Sequence, residues 1–216
     1  GGGTGGGGDS TLTVSAKRTS SPPSVDGRLN ESVWDLSESI SRTTSGTNDN
    51  VSTFGVLWDD TYLYVAAKVF DADLQNDSEL SWFDDSVEVY VDGEGERSAT
   101  YDENDLHLIK GWDDPALAAF PLKGATGVLH ATVDVSGGYT VELAIPWSNL
   151  GVVPSAEKIL GFDVQQNSDE SGADGGDRDG AASWNATVDT NHLSTVEFGR
   201  LLLSMEAVGG TGTGGG

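Results

Sequence analysis

Apolar side chains recur along this chain with a period of two. Phe54, Val56 and Trp58 alternate with smaller or polar neighbours, and Asp59-Asp60 supplies a turn. Tyr62, Tyr64 and the run to Phe70 then return, so residues 52–70 read as a β-hairpin. In the segment Asp85–Asp92, valines 87, 89 and 91 share one face while Ser86, Glu88 and Tyr90 share the other. Successive strand residues point to opposite faces, so Glu88 is expected to point away from the valine core. Further strands are expected at 105–109, 127–135, 138–145, 159–166 and 196–204. Gly137-Gly138 marks a tight hairpin, and Pro146–Leu150 one short helical turn. There is no long helical period and no internal repeat. Many short strands at roughly ten-residue spacing predict an all-β, antiparallel β-sandwich.

Composition bounds the function. Residues 1–9 and 208–216 are almost entirely glycine with occasional threonine, and read as linkers flanking a single domain over 10–207. Linkers at both ends suggest a piece of a larger protein. Asp and Glu number 35 against 11 Lys and Arg, a formal charge of −24, which repels phosphate backbones and anionic lipid. No nucleic-acid or membrane partner is expected, and the chain is expected to be monomeric. With no cysteine there is no disulfide or thiolate metal site. Catalytic signatures such as G-x-S-x-G or a phosphate-binding glycine loop are missing too. Carboxylate pairs are so abundant that none singles out a glycosidase, so no enzyme is expected.

Several segments in order resemble the family 9 carbohydrate-binding modules and the related DOMON-type sandwiches. They are Val25-Asp26-Gly27 through Trp34, Val56-Leu-Trp58-Asp59-Asp60, Trp82-Phe-Asp-Asp85-Ser-Val-Glu88, Tyr101–Asp105, Ile145-Pro-Trp147, Ser183-Trp184-Asn185 and Phe198-Gly199. The resemblance spans about residues 24–204. It implies a jelly-roll-like sandwich that grips a polysaccharide or oligosaccharide by aromatic stacking and charged edge groups. It also implies a secreted bacterial protein, with the module anchoring other domains of the same chain to the polymer. A pyranose has an apolar C–H face that an indole can cover, and a rim of hydroxyls that need partners once dehydrated.

Carried over position by position, the resemblance puts one aromatic wall at Trp82, the hydroxyl-binding carboxylate at Glu88 and a sugar-binding guanidinium at Arg178. It puts His192 where the family has a second tryptophan, with Asp189 beside it, and Ile109 where a basic contact is expected. Trp82 also stands out unaided, as a large aromatic in a loop just before a strand. Trp112, next to Asp113-Asp114-Pro115, is a further stacking candidate, whereas Trp34, Trp58, Trp147 and Trp184 read as core. Asp71, Asp84 and Asp85 cluster before the Glu88 strand and suit a structural Ca²⁺, which prefers several oxygen ligands. The acidic stretch Asp169–Asp179 is a second calcium candidate. Two other readings stay open: a spacer or docking domain with a degenerate pocket, and a b-type haem domain using Met205 and one of His107, His130 or His192.

Overall fold

The computed structural model describes residues 11–48, 50–170 and 178–208. The glycine-rich stretches expected at the two ends therefore lie, Val208 apart, outside the described residues, as do Asp174 and Asp177 of the second acidic loop. The chain runs β1 (Thr13–Thr19), β2 (Glu38–Ile40), β3 (Arg42–Gly46), β4 (Val51–Trp58), β5 (Tyr62–Phe70), β6 (Ser86–Asp92) and β7 (Asp105–Gly111). It continues through β8 (Ala118–Phe120), β9 (Leu129–Val135), β10 (Gly138–Pro146), β11 (Ile159–Ser168), β12 (Gly180–Ser183) and β13 (Gly199–Val208).

Two half-sheets curl over one core. One runs β8-β7-β6-β11-β13, the other β1-β4-β5-β10-β9, and the contact between β13 and β1 joins them. The predicted sandwich is therefore present, with one departure from antiparallel pairing: β1 is parallel to both β13 and β4. The hairpins follow from local chemistry. Asp59 Oδ1 accepts the backbone N–H groups of Thr61 and Tyr62 at 2.6 and 2.8 Å, closing the β4–β5 turn. Gly138 cannot be replaced freely, since φ is 151° and a Cβ there would lie 2.0 Å from the Val69 carbonyl oxygen.

Alternation fills the interior as expected. Val87, Val89 and Val91 meet Leu160, Phe162 and Val164, and Trp184 stands edge-on to Phe54 at 5.7 Å. Trp58, Trp147 and Trp184 are buried core residues. Trp34 is only half-buried: it packs on the outer face with Leu57, Tyr64 and Ala144, and its Nε1 donates to Glu142 at 3.0 Å. Strands β1, β2, β3, β8 and β12 carry too little apolar alternation to have been expected, and they are ordered by pairing with stronger neighbours.

Candidate functional site

The face of β6 turned away from the valines forms the floor of a cleft. Pairing register places Glu88 opposite Ile109 of β7, and Tyr90 opposite His107. On the other flank, Gln165 of β11 stands opposite Glu88. Phe120 of β8 lies opposite His107, extending the floor. Loops raise the walls: Trp82 and Phe83 precede β6, Tyr101 precedes β7, Arg178 precedes β12, and Asp189, His192 and Leu193 lie between β12 and β13. Together they line a cleft of about 1100 Å³.

The charges on this floor are tightly paired. Glu88 Oε2 accepts the Tyr90 hydroxyl at 2.6 Å and contacts His107 Nε2. Its Oε1 accepts Asn167 Nδ2 at 2.5 Å and lies 3.5 Å from an Arg178 terminal nitrogen. Burial alone would push the Glu88 carboxyl up. A charged His107 and hydrogen bonds from His107, Asn167 and Tyr90 outweigh burial and hold it down to about 2. Arg178 in turn donates to Asn167 Oδ1 at 2.9 Å and pairs with Asp189. The Tyr90 hydroxyl is pushed well up, by burial first and then by the Glu88 charge. His107 is stacked flat on Tyr90 with ring centroids 4.3 Å apart, and Phe120 lies on 5.5 Å from it.

Of the six residues expected to bind sugar, Trp82, Glu88, Arg178, Asp189 and His192 stand on this one cleft. Trp82 is half-buried and leans edge-on against Phe120 at 5.9 Å. Glu88 points off the valine core as the alternation requires, but it is only 2% exposed, lying beneath its partners rather than at the surface. Trp112 is not with them. It continues the parity of Leu106 and Leu108, packs against the core, and donates its Nε1 to Asp134 at 2.8 Å. His107, Tyr90, Tyr101 and Phe120 were missed. Period two along β7 puts His107 on the face of Ile109, and that parity was the available signal. The haem alternative is not assembled: Met205 is 71% exposed, and His107 is engaged by Glu88.

The first acidic cluster is regrouped by the fold. Asp84 joins Asp77 and Asp169, with one carboxylate oxygen of each within 4.8 Å of the others. Asp84 Oδ1 also accepts the N–H groups of Asp77 and Ser78, at 3.1 and 2.8 Å. Asp71 and Asp85 make a neighbouring buried pair. Burial first, and then the Asp71 charge, pushes the Asp85 carboxyl far up, and among the described residues its Oδ1 has no hydrogen-bond partner.

Comparison with known proteins follows the same line. The family described as "Carbohydrate family 9 binding domain-like" matches residues 25–206. An endo-1,4-β-xylanase A of Thermoanaerobacterium saccharolyticum is 34% identical over 206 residues, which cover 91% of this chain and 17% of that protein. The exoglucanase XynX of Acetivibrio thermocellus is 32% identical over 188 residues, 84% of this chain and 16% of that protein. This chain thus spans about a sixth of the length of the curated relatives it matches. A carbohydrate binding module of family 9 from Caldicellulosiruptor kristjanssonii, solved in complex with cellotriose, superposes with a TM-score of 0.77. The two share 23% identity over 90% of this chain and 95% of that one, a likeness of fold.

Proposed function

The chain belongs to the carbohydrate family 9 binding domain-like family, and on that premise we propose that it holds a saccharide, without cleaving it, in the cleft between Trp82 and His192. The observation that carries this reading is convergence: five residues from two separate stretches of the chain, 82–88 and 178–192, one flat aromatic and four polar groups, line one cavity. An indole beside a bound pyranose covers its C–H face and excludes water. Arg178 and Asp189 then meet hydroxyls at the rim. His192 covers less sugar than an indole does, so binding is weaker than a two-tryptophan clamp gives. Calorimetry with cellotriose and xylotriose tests the reading. Uptake of either sugar, weakened at least about tenfold in Trp82→Ala, supports it. Equal uptake by the variant, or none by the wild type, refutes it for these sugars and favours a spacer domain.

Calcium belongs to the same proposal as a structural ion. The residues that would hold it are Asp77, Asp84 and Asp169, with Asp85 linked both to the backbone of Asp169 and to Asp71. Hard carboxylate oxygens suit the ion, and a buried Asp85 Oδ1 without a hydrogen-bond partner among the described residues fits a cation nearby. Such an ion would supply charge compensation to loops on the Trp82 side of β6. Because the relatives are much longer xylanases and an exoglucanase, we also propose that this module tethers other domains to polymeric substrate outside the cell. Tethering raises the local concentration of whatever is attached.

A further inference from the structure

Asp163 takes no part in the surface of the cleft, yet one wall is tied to it. It lies in β11 opposite Tyr90 of β6 and is fully buried. Its Oδ1 accepts the backbone N–H groups of Val164 and Asn185, at 2.8 and 2.9 Å. Its Oδ2 accepts the backbone N–H of Ala186 at 2.8 Å and the side-chain Nδ2 of Asn191 at 2.9 Å. Asn191 is itself fully buried, and its backbone carbonyl accepts the hydroxyl of Tyr101 at 2.5 Å. Asp189 stands two residues before this post and His192 one residue after it.

We infer that Asp163 is a positioning residue for saccharide binding: it fixes the segment from Asn185 to His192 so that Asp189 reaches Arg178 and His192 stays on the cleft. The inference rests on the reading of the cleft as a sugar site. Only a carboxylate can do this work in that place. Four N–H donors converge on two oxygens, whereas an amide offers one acceptor and would present its own N–H groups to two of the donors. A protonated carboxyl has the same defect. Burial pushes Asp163 up, to about 6, against the four hydrogen bonds that pull it down. By linkage the folded protein takes up that proton more readily than the unfolded chain, so this group's contribution to overall stability rises as pH falls through about 6. The ionisable groups around Asp163 on this face are Glu88, Tyr90 and Asp92 from β6, Asp105 and His107 from β7, and Tyr101 and Asp189 from the loops. Asp105 is also pushed up to about 6 by burial, so the pH effect must be assigned with variants.

The experiment pairs hydrogen exchange of the free protein with cellotriose calorimetry, for wild type, Asp163→Asn and Asn191→Ala. In Asp163→Asn at pH 7, amides in 185–195 are expected to exchange about tenfold faster while the β5 and β10 amides do not change. Cellotriose binding is expected to weaken about tenfold in the same variant. Relative to Asp163→Asn, the wild type is expected to gain overall stability in urea unfolding as pH is lowered from 7 to 5, because a carboxyl raised to about 6 takes up its proton more readily when folded. Asn191→Ala removes one of the four bonds and reproduces the binding loss, so the test survives a variant at 163 that does not fold. Unchanged protection of 185–195 in both variants, or a loss spread evenly over the protein, overturns the inference. If the wild type takes no cellotriose, the sugar reading fails on that probe, and the exchange data alone still decide whether Asp163 holds the loop.

Discussion

Replacing Glu88 by glutamine tests the charged floor most directly. The carboxyl is held at about 2 in the folded protein against its ordinary value of 4.5. That difference corresponds to about 3 kcal/mol of preference for the charged, folded form. The sign follows from the direction of the shift. A depressed carboxyl contributes its full stability above pH 4.5, and the contribution is lost as pH falls through 2. In Glu88→Gln the Oε1 side survives, and Asn167 and Arg178 keep an acceptor. On the Oε2 side an N–H₂ group replaces the acceptor of both Tyr90 and His107. Tyr90 can rotate its hydroxyl to accept, but His107 Nε2 loses its carboxylate partner and meets an amide N–H₂ in its place. Urea unfolding should therefore show the variant less stable by about 3 kcal/mol at pH 7. The gap should shrink steadily below pH 4.5 and nearly close by about pH 2. A gap that stays constant over this range, or one under about 0.5 kcal/mol at pH 7, would falsify the view of Glu88 as a charge stabilised by its donors.

Two further outcomes follow from where residues stand. Trp112→Ala should cost stability, by about 2 kcal/mol through lost packing, while leaving oligosaccharide affinity within about twofold, as read by melting and calorimetry side by side. Calcium at about a hundred times its dissociation constant should stabilise the protein by about 2.7 kcal/mol relative to a chelated sample. Asp84→Asn should remove that difference; if melting is indifferent to chelator, the acidic loop holds no structural ion.

The sheet was legible because its two inner faces are buried, which forces strict alternation on β4, β5, β6, β10 and β11. The same alternation gave the direction of Glu88 without any structural knowledge. It could not give the depth of Glu88. Whether a polar residue on the far face meets water depends on what lies across the sheet, and Gln165, Asn167 and Arg178 arrive from segments about 80 to 90 positions away. Trp112 misled for a related reason. An aromatic after a strand end, beside an acidic turn, looks solvent-facing, but its parity with Leu106 and Leu108 already placed it on the core side. The acidic loops were legible as loops only. Carboxylates have no periodic signature, so nothing local distinguishes Asp84, which meets Asp77 and Asp169, from Asp85, which turns toward Asp71.

A carboxylate that is almost fully buried can still govern a binding site when its partners form the surface. Glu88 fixes His107 on one oxygen and draws Asn167 and Arg178 to the other, and Arg178 carries the arrangement outward to Asp189. Each link is an ion pair or a hydrogen bond to a charged group, the class that loses most when one member is removed. The rim is thereby pre-organised: its guanidinium is held from beneath and from the side before any ligand arrives, so less rotamer entropy is lost on binding. The aromatic side is built differently. Trp82 and Phe120 brace each other edge to face, while His192 is exposed and makes no ring contact among the described residues. On the proposal that the cleft holds a saccharide, affinity is set less by the charged floor, which is already satisfied, than by how firmly the 185–195 segment holds the wall opposite the indole.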